Sequence, residues 1–479
     1  MEEKKKSLKN VRKQKKTSVK TGDYPAWTDA ALHLIGTDIK CVGNRWFVYV
    51  TDEGWYEEVE KDRFAPIADS VQTRPMPSKT DAILRRIQQT RQILFKEFRS
   101  AISWDVEGKI VLLNVKNGLL RINLETGERT LNIEDRQKYK FLGRMNVNYI
   151  LSSTSEWFNK TLEECLPSQL NRDVVMSFAG YTLLPSCSLE QVLINIGKGA
   201  CGKSTVWLNG IANVFGRELV GSLTLHQICD SRFVHAIEKL PLNIGSELNA
   251  TEVENADNFK RQASMEPIVA NPKYRQPYEF VSSCKLCFLT NSSPRFKEGS
   301  SAELRRTRFV YWSHEFGEDK EIGRKRLLEK EADGIFLTML DWLVKVAKMN
   351  KLPEGDEDSQ AVHHEFATRN DFVERFVNNR CMRGSVELCE LRSNVHLAMM
   401  SMAEQVGFQI NDVHFARTFR QKFPQEGRWT DMHGRRRNEK GTLKYYYVGI
   451  ALKEEFKDVI HGKNGDSNEE WNRTKKGVL

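Results

Sequence analysis

Alternation of polar and apolar positions begins within residues 24–75, where Arg45–Val50 and Trp55–Val59 flank Asp52, Glu53 and Gly54, a spacing that predicts a β-hairpin. From about Thr80 to Ser100 the apolar residues Ile83, Leu84, Ile87, Ile93, Leu94 and Phe98 return at helical intervals among Arg and Gln, which predicts a helix. Ile110–Val115 and Leu119–Leu124 bracket Asn117-Gly118, the dipeptide best suited to turn positions of positive φ, and Thr126-Gly127 closes the second strand. Residues 23–150 therefore read as an α+β domain. Spaced carboxylates or histidine clusters are missing from this stretch, so no primase or polymerase metal centre is expected there.

Beyond residue 150 come short apolar, strand-like runs at Val192–Ile196, Leu240–Gly245 and Leu286–Thr290, and an alternating apolar run at Phe309–Trp312. An acidic Pro/Gly stretch from Pro353 to Ser359 reads as a linker. After it, Phe372–Cys381, Val386–Val406 and Val413–Phe423 carry helical periodicity, with Asn411 placed to cap the third. A basic hairpin with Trp429, Arg435, Arg436, Arg437 and Lys440 follows, leading into Thr442–Ile450 with its three consecutive tyrosines. Helix, helix, helix and wing is the order of a winged-helix domain. Its third helix would present Arg417, Arg420 and Lys422 to a major groove, although such domains also bind proteins.

Composition narrows the class. A chain with 40% hydrophobic, 29% charged and 10% aromatic residues is globular with more than one core. No run reaches the roughly 18 apolar residues of a membrane span, and the Lys-rich start lacks an apolar signal core, so a location in the cytoplasm of a bacterial host is expected. The nine cysteines are scattered, as in a reduced compartment. The net charge of +9 is mostly local: residues 1–20 hold eight Lys and Arg12 against Glu2 and Glu3, a segment of +7 that leaves the body nearly neutral. That arm reads as a disordered tail, suited either to solubility or to non-specific phosphate contact.

Chemistry enters at residue 197. Directly after Val192–Ile196 comes GKGACGKST, a complete Walker A motif, followed by a helix-compatible run from Thr205 to Phe215. Gly197, Lys198, Gly199, Ala200, Cys201 and Gly202 would turn backbone N–H groups around phosphates, Lys203 would reach the β- and γ-phosphates, and Ser204, with Thr205 beside it, would ligate Mg²⁺. Leu240–Gly245 ends in Ser246 and Glu247, where an acid can polarise the attacking water and help hold Mg²⁺. Asn291 ends the run Leu286–Thr290 and can orient water and γ-phosphate through its amide. Arg305, Arg306 and Arg308 precede and enter the next strand, and one arginine of this group suits a finger directed at a neighbouring subunit's ATP. Cys201, in a loop that opens a helix, is a candidate for alkylation that ATP would block.

GKGACGKST, LNIGSEL, FLTNSSPRF and ELRRTRF, in this order within about 120 residues, resemble the superfamily-3 helicases, a branch of the AAA+ ATPases, and most of all their phage and plasmid primase-helicase type. VLLNVKNGLLRINLETGE resembles the hairpin that precedes the motor in that group. The resemblance implies an α/β AAA+ P-loop core and a homo-hexameric ring moving 3′ to 5′ on single-stranded and forked DNA, with Lys203, Ser204, Glu247, Asn291 and Arg305 or Arg306 in the Walker A, Walker B, sensor and finger positions. It also implies a channel hairpin within FKRQASMEPIVANPKYRQPYEF, with Lys273 as the leading DNA contact and Tyr274 or Lys260 beside it. Two departures stand out, Ser246 where many such motors carry a second acid and Met265-Glu266 where relatives often have Gly-Asp.

Other motifs are weaker. Cys284 and Cys287 match C-x-x-C, but residues three apart on a strand face opposite sides. His363-His364-Glu365 lacks the paired helical histidines of a zinc protease. The expected division is a tail at 1–22, the α+β domain at 23–150, the motor at 151–345, a linker at 346–368, a winged helix at 369–452 and a tail at 453–479. A replicative helicase working with a separate primase or polymerase is the leading expectation. An initiator that binds origin duplex DNA, and a DNA-binding regulator with a switch-type ATPase, are the alternatives, and Ser246 alone favours the last.

Overall fold

The computed structural model describes residues 23–133, 136–246, 253, 256–294, 301–316, 321–370, 372–384, 389–405, 419, 435–437 and 443–456. The basic arm at 1–22, Glu247, Arg417 and Arg420 lie outside them, as do Lys422 and Lys440.

A helix at Tyr24–Ile35, capped by the Asp23 carboxylate and stopped by Gly36 at φ 68°, packs on the sheet of β1 (Ile39–Val42), β2 (Arg45–Val50) and β3 (Trp55–Val59). The expected hairpin is β2–β3, and Gly54 at its turn has φ 75° with the Arg136 guanidinium packed where a Cβ would stand. The expected helix over residues 80–100 is instead Pro77–Thr90. Its apolar spacing continued, but the backbone was captured: Cys41 N–H donates to Arg91 O at 2.8 Å and Ile93 N–H to Cys41 O at 2.8 Å, turning residues 91–93 along the edge of β1. Phe95 and Phe98 then serve a second cluster with Phe47 and Tyr56.

The next sheet is a meander of β4 (Ile102–Trp104), β5 (Ile110–Val115), β6 (Gly118–Asn123) and β7 (Arg129–Asn132). Val115 pairs with Gly118, so the two turn residues are Lys116 and Asn117 rather than Asn117-Gly118. Asn117 serves tertiary structure instead, its amide exchanging hydrogen bonds with the backbone of Tyr149 at 2.9 and 3.0 Å. Val111, Leu113, Val115, Leu120 and Ile122 enter the same core as helices Gln169–Tyr181 and Ala332–Met349, so one apolar interior spans both sides of residue 150.

A parallel five-stranded sheet follows, built from β8 (Val192–Gly197), β9 (Val220–Gly221), β10 (Leu242–Ser246), β13 (Lys285–Thr290) and β14 (Thr307–Trp312) in the spatial order β14-β8-β13-β10-β9. Both faces of this sheet are covered by apolar cores, as its largely apolar strands require. Leu193, Leu242, Ile244, Cys287, Leu289, Val310 and Trp312 face the core formed with helices Gln169–Tyr181 and Ala332–Met349. Val192, Ile194, Ile196, Leu286, Phe288 and Phe309 face a second core on the other side. Cys284 and Cys287 fall into opposite layers. Part of the expected linker is the helix Glu357–Asn370, whose Phe366 joins that second core. β11 (Ile268–Ala270) and β12 (Tyr278–Phe280) form a separate antiparallel hairpin between β10 and β13.

In the C-terminal part, helices Phe372–Arg380 and Arg392–Gln405 accompany β15 (Cys381–Arg383), β16 (Cys389–Leu391), β17 (Arg435–Arg437), β18 (Leu443–Val448) and β19 (Ile450–Leu452). Phe376, Val395, Met399, Phe419 and Tyr447 belong to a third core. The helix expected over 386–406 starts only at Arg392, because Cys389–Leu391 pairs with Leu391↔Tyr446 register against β18.

Candidate nucleotide site

In the order β14-β8-β13-β10-β9, the connection after β8 leads toward β9 on one side, and β14 is added on the other. A crevice opens beyond the carboxyl end of a strand where connections part in this way. GKGACGKST leaves β8 at that end.

Two glycines shape the loop. A Cβ on Gly197 would stand 2.4 Å from Trp312 O, so the ends of β8 and β14 can approach only with glycine here. Gly202 has φ 86°, a conformation that L side chains rarely adopt, and a Cβ there would strike Cys165 Sγ. Ala200 has φ 56°, which for a residue with a Cβ costs roughly 1 kcal/mol and is the sort of strain that accumulates at binding loops. Around Gly199 a Cβ would meet nothing within 4 Å, so this side of the loop is open. The chain then runs through Lys203 and Ser204 into a helix with π spacing over Thr205–Ile211 and one α turn at Ala212–Phe215.

Lys203 is buried, and its Nζ donates to Gly197 O at 2.7 Å, Lys198 O at 2.9 Å, Cys201 Sγ at 3.0 Å and Asn291 Oδ1 at 3.4 Å. Asn291 follows β13 directly, and β13 is one of the two neighbours of β8, so Lys203 and Asn291 converge through the parallel pairing Thr290↔Ile196. β10 ends at Ser246, beside β13, and leads straight into the position of Glu247. Ser204 is exposed beside the loop. Cys201 is buried behind Lys203, so an alkylating reagent reaches it only when the loop opens. The cradle, with its glycines at points of close approach and one ammonium on its carbonyl rim, fits the phosphates of a nucleotide. Lys198 and Glu315 pair across the mouth of the loop at 2.9 Å, and that contact raises the Lys198 pKa.

The scaffold behind the loop contains a feature that sequence reading passed over. Asn195 sits wholly buried in β8, and its Oδ1 accepts from the indole N–H of Trp207 at 3.0 Å and of Trp312 at 3.0 Å. Its Nδ2 donates to Cys287 Sγ at 3.3 Å and Phe288 O at 3.4 Å. One amide thus joins the helix after the loop, β13 and β14. An Asn inside an otherwise apolar run was the available signal.

The arginine cluster lies at the opposite end of the sheet, on the strand next to β8. Thr307 pairs with Val192 and Trp312 with Gly197, so Arg305 and Arg306 stand at the amino end of β14, roughly 20 Å from the loop at about 3.3 Å per residue. Their environments differ sharply. Both pair with Glu190, but Arg306, 3.7 Å from it, is buried and also donates to Ser264 Oγ at 3.0 and 2.8 Å, whereas the Arg305 side chain is 58% exposed. Arg308 lies within β14, with burial holding its pKa down.

Lys273 and Tyr274 occupy the tip between β11 and β12, both exposed, with Tyr274 at φ 63° and Arg275 next to it. The hairpin forms despite Met265-Glu266, with Ile268↔Phe280 in register. Lys260 is not part of that tip. It lies in the helix Asp257–Ala263 and is ion-paired with Asp257 at 3.1 Å and Glu303 at 3.3 Å, which commits its charge to packing. Arg435, Arg436 and Arg437 form β17, paired with Tyr445, Lys444 and Leu443.

Residues 195–306, from the middle of β8 to the arginine pair, match a family of unknown function (DUF5906). No curated protein matches the chain. The structure is similar to the apo C-terminal region of NrS-1, with a TM-score of 0.51 at 10% sequence identity over 88% of this chain and 99% of that one. It is less similar to Cch of SCCmec type IV, an active helicase, at a TM-score of 0.44 and 11% identity over 88% of this chain and 94% of that one. At these identities the likeness to the NrS-1 region is one of fold: a mixed α/β chain, here organised on a parallel five-stranded sheet.

Proposed function

We propose that this chain is an ATP-hydrolysing DNA motor, a helicase of the superfamily-3 type that works as a homo-hexamer and moves 3′ to 5′ on single-stranded DNA. The observation that carries the reading is the convergence of Lys203 and Asn291, 3.4 Å apart, on a strained glycine loop at the carboxyl end of β8. Lys203 would leave its carbonyl partners for the β- and γ-phosphates, and Asn291 would orient the terminal phosphate and the attacking water. Ser204 and Glu247 would hold Mg²⁺, which when bound neutralises charge on the phosphate oxygens. Glu247, following β10, would accept the proton of that water.

Arg305 is the better finger of the two. It is exposed and lies too far from its own loop to act there, which supports action across a subunit boundary, whereas Arg306 is tied to Ser264. The exposed Lys273 and Tyr274 suit backbone contact and base stacking with single-stranded DNA in a ring channel. A winged helix at 369–452 would add duplex binding through Arg417, Arg420 and Arg435–Arg437.

The test is ATP hydrolysis by wild type and Lys203→Ala, with and without single-stranded DNA, beside strand displacement on forks of either polarity. DNA-stimulated turnover and 3′-tail-dependent unwinding, both lost in the variant, are expected. Hydrolysis without unwinding, joined to tight binding of one duplex sequence, would overturn the helicase in favour of an origin-binding initiator.

A further inference from the structure

Four residues beyond β14 the chain lies across the nucleotide loop. Phe316 N–H donates to Ala200 O at 2.9 Å, and Glu315 pairs with Lys198, so residues 313–316 form a strap stitched to the loop by one backbone and one ionic contact. The Phe316 ring rests over Gly202, where a Cβ would meet its Cε2 at 3.3 Å. His314 meets the ring edge-on, centroids 4.5 Å apart at 72°, and the Arg324 guanidinium stands 5.8 Å from it, itself held by Glu164 at 2.6 Å. The ring is half-buried and the His314 side chain exposed.

Direction follows from strand order. β8 has two neighbours, and β13 carries Asn291 to the Lys203 ammonium, which sets the terminal phosphate on the β13 side. A nucleotide laid across the loop with that phosphate toward β13 carries its base the other way, toward β14. Phe316 and His314 are what β14 delivers there. We infer that Phe316, steadied by His314 and Arg324, is the platform on which the purine base of the bound nucleoside triphosphate stacks, and that this strap selects a nucleotide over bare polyphosphate. The inference rests on the nucleotide-loop reading above.

Calorimetric titration of the full chain with the Mg²⁺ complexes of a non-hydrolysable ATP analogue and of inorganic tripolyphosphate tests it, using wild type, Phe316→Ala, Phe316→Trp, Phe316→Leu and Lys203→Ala. Loss of one stacking surface should weaken the analogue about ten- to hundredfold in Phe316→Ala, with tripolyphosphate binding unchanged and Phe316→Trp close to wild type. Phe316→Leu keeps apolar bulk against Gly202 and so controls for loop packing; it should lose analogue affinity while circular dichroism stays native. Parallel weakening of both ligands, or no weakening of the analogue, overturns the base platform alone. Lys203→Ala should lose both ligands, and a wild type that binds neither overturns the nucleotide loop together with the inference.

Discussion

Asn195 shows how a single polar side chain can organise an apolar core. Two buried indole N–H groups end on its carbonyl oxygen, so Asn195→Leu removes one acceptor and strands two donors, at roughly 1–3 kcal/mol each. A loss of about 2–5 kcal/mol in urea denaturation is expected, and a loss below about 1 kcal/mol would show that the indoles find other partners. Lys285 makes a different statement at the same scale. Its ammonium is buried at the start of β13, against Leu184 O, Ser283 O and the Tyr181 ring, and burial pushes its pKa down to about 8. Between pH 8 and the ordinary lysine range the unfolded chain holds a proton that the folded chain has released, so this group's contribution to stability grows as pH rises through that window. Comparing the pH dependence of unfolding in wild type and Lys285→Met isolates it; equal slopes would mean that Lys285 stays charged. For the arginines, Arg305→Ala should cut turnover about 10³-fold while ATP still binds, whereas Arg306→Ala should destabilise the fold through Ser264.

Among elements, the β11–β12 hairpin is the most exposed device, since its tip carries Lys273, Tyr274 and Arg275 beyond the last backbone pair, Ala270↔Tyr278. Lys273→Ala combined with Tyr274→Ala should weaken single-stranded DNA about tenfold and flatten the salt dependence by about 0.7 in log–log slope, because one phosphate contact and one stacking surface go. Hydrolysis without DNA should persist. A fluorescence-anisotropy titration across salt concentrations checks this, and an unchanged slope would remove the hairpin from the DNA path. Helix Glu357–Asn370 works in the opposite sense. By burying Phe366 and accepting from Tyr311 N–H through Ser359 Oγ at 2.9 Å, it packs on the edge strand β14.

At the scale of the molecule, the nucleotide loop and Arg305 occupy opposite ends of one sheet. Under the proposed function a chain so arranged would complete its site by association, and sedimentation with Mg²⁺ and a non-hydrolysable ATP analogue should show a closed ring of six. Mixing Arg305→Ala with Lys203→Ala subunits should restore part of the turnover that each lacks alone. Each variant then supplies the half-site missing in the other, and a monomer hydrolysing ATP at full rate would rule out the shared site.

The glycine loop that leaves β8, the apolar runs that become the parallel sheet, and the β2–β3 hairpin are all legible in sequence, because each depends on local chemistry: glycines at fixed offsets, apolar runs and turn residues. Asn291 is legible for the same reason, as a polar residue ending a strand. The ion pairs of Lys260 and the different surroundings of Arg305 and Arg306 were not, since the partners Glu303, Ser264 and Glu190 lie 40 or more residues away. The end of the helix at Thr90, the use of Asn117, and the shared interior across residue 150 were likewise set by remote backbone and apolar surface. Sequence fixes which groups are present and their local geometry; competition among distant partners for the same hydrogen bonds and the same apolar contact is resolved only when the chain has packed.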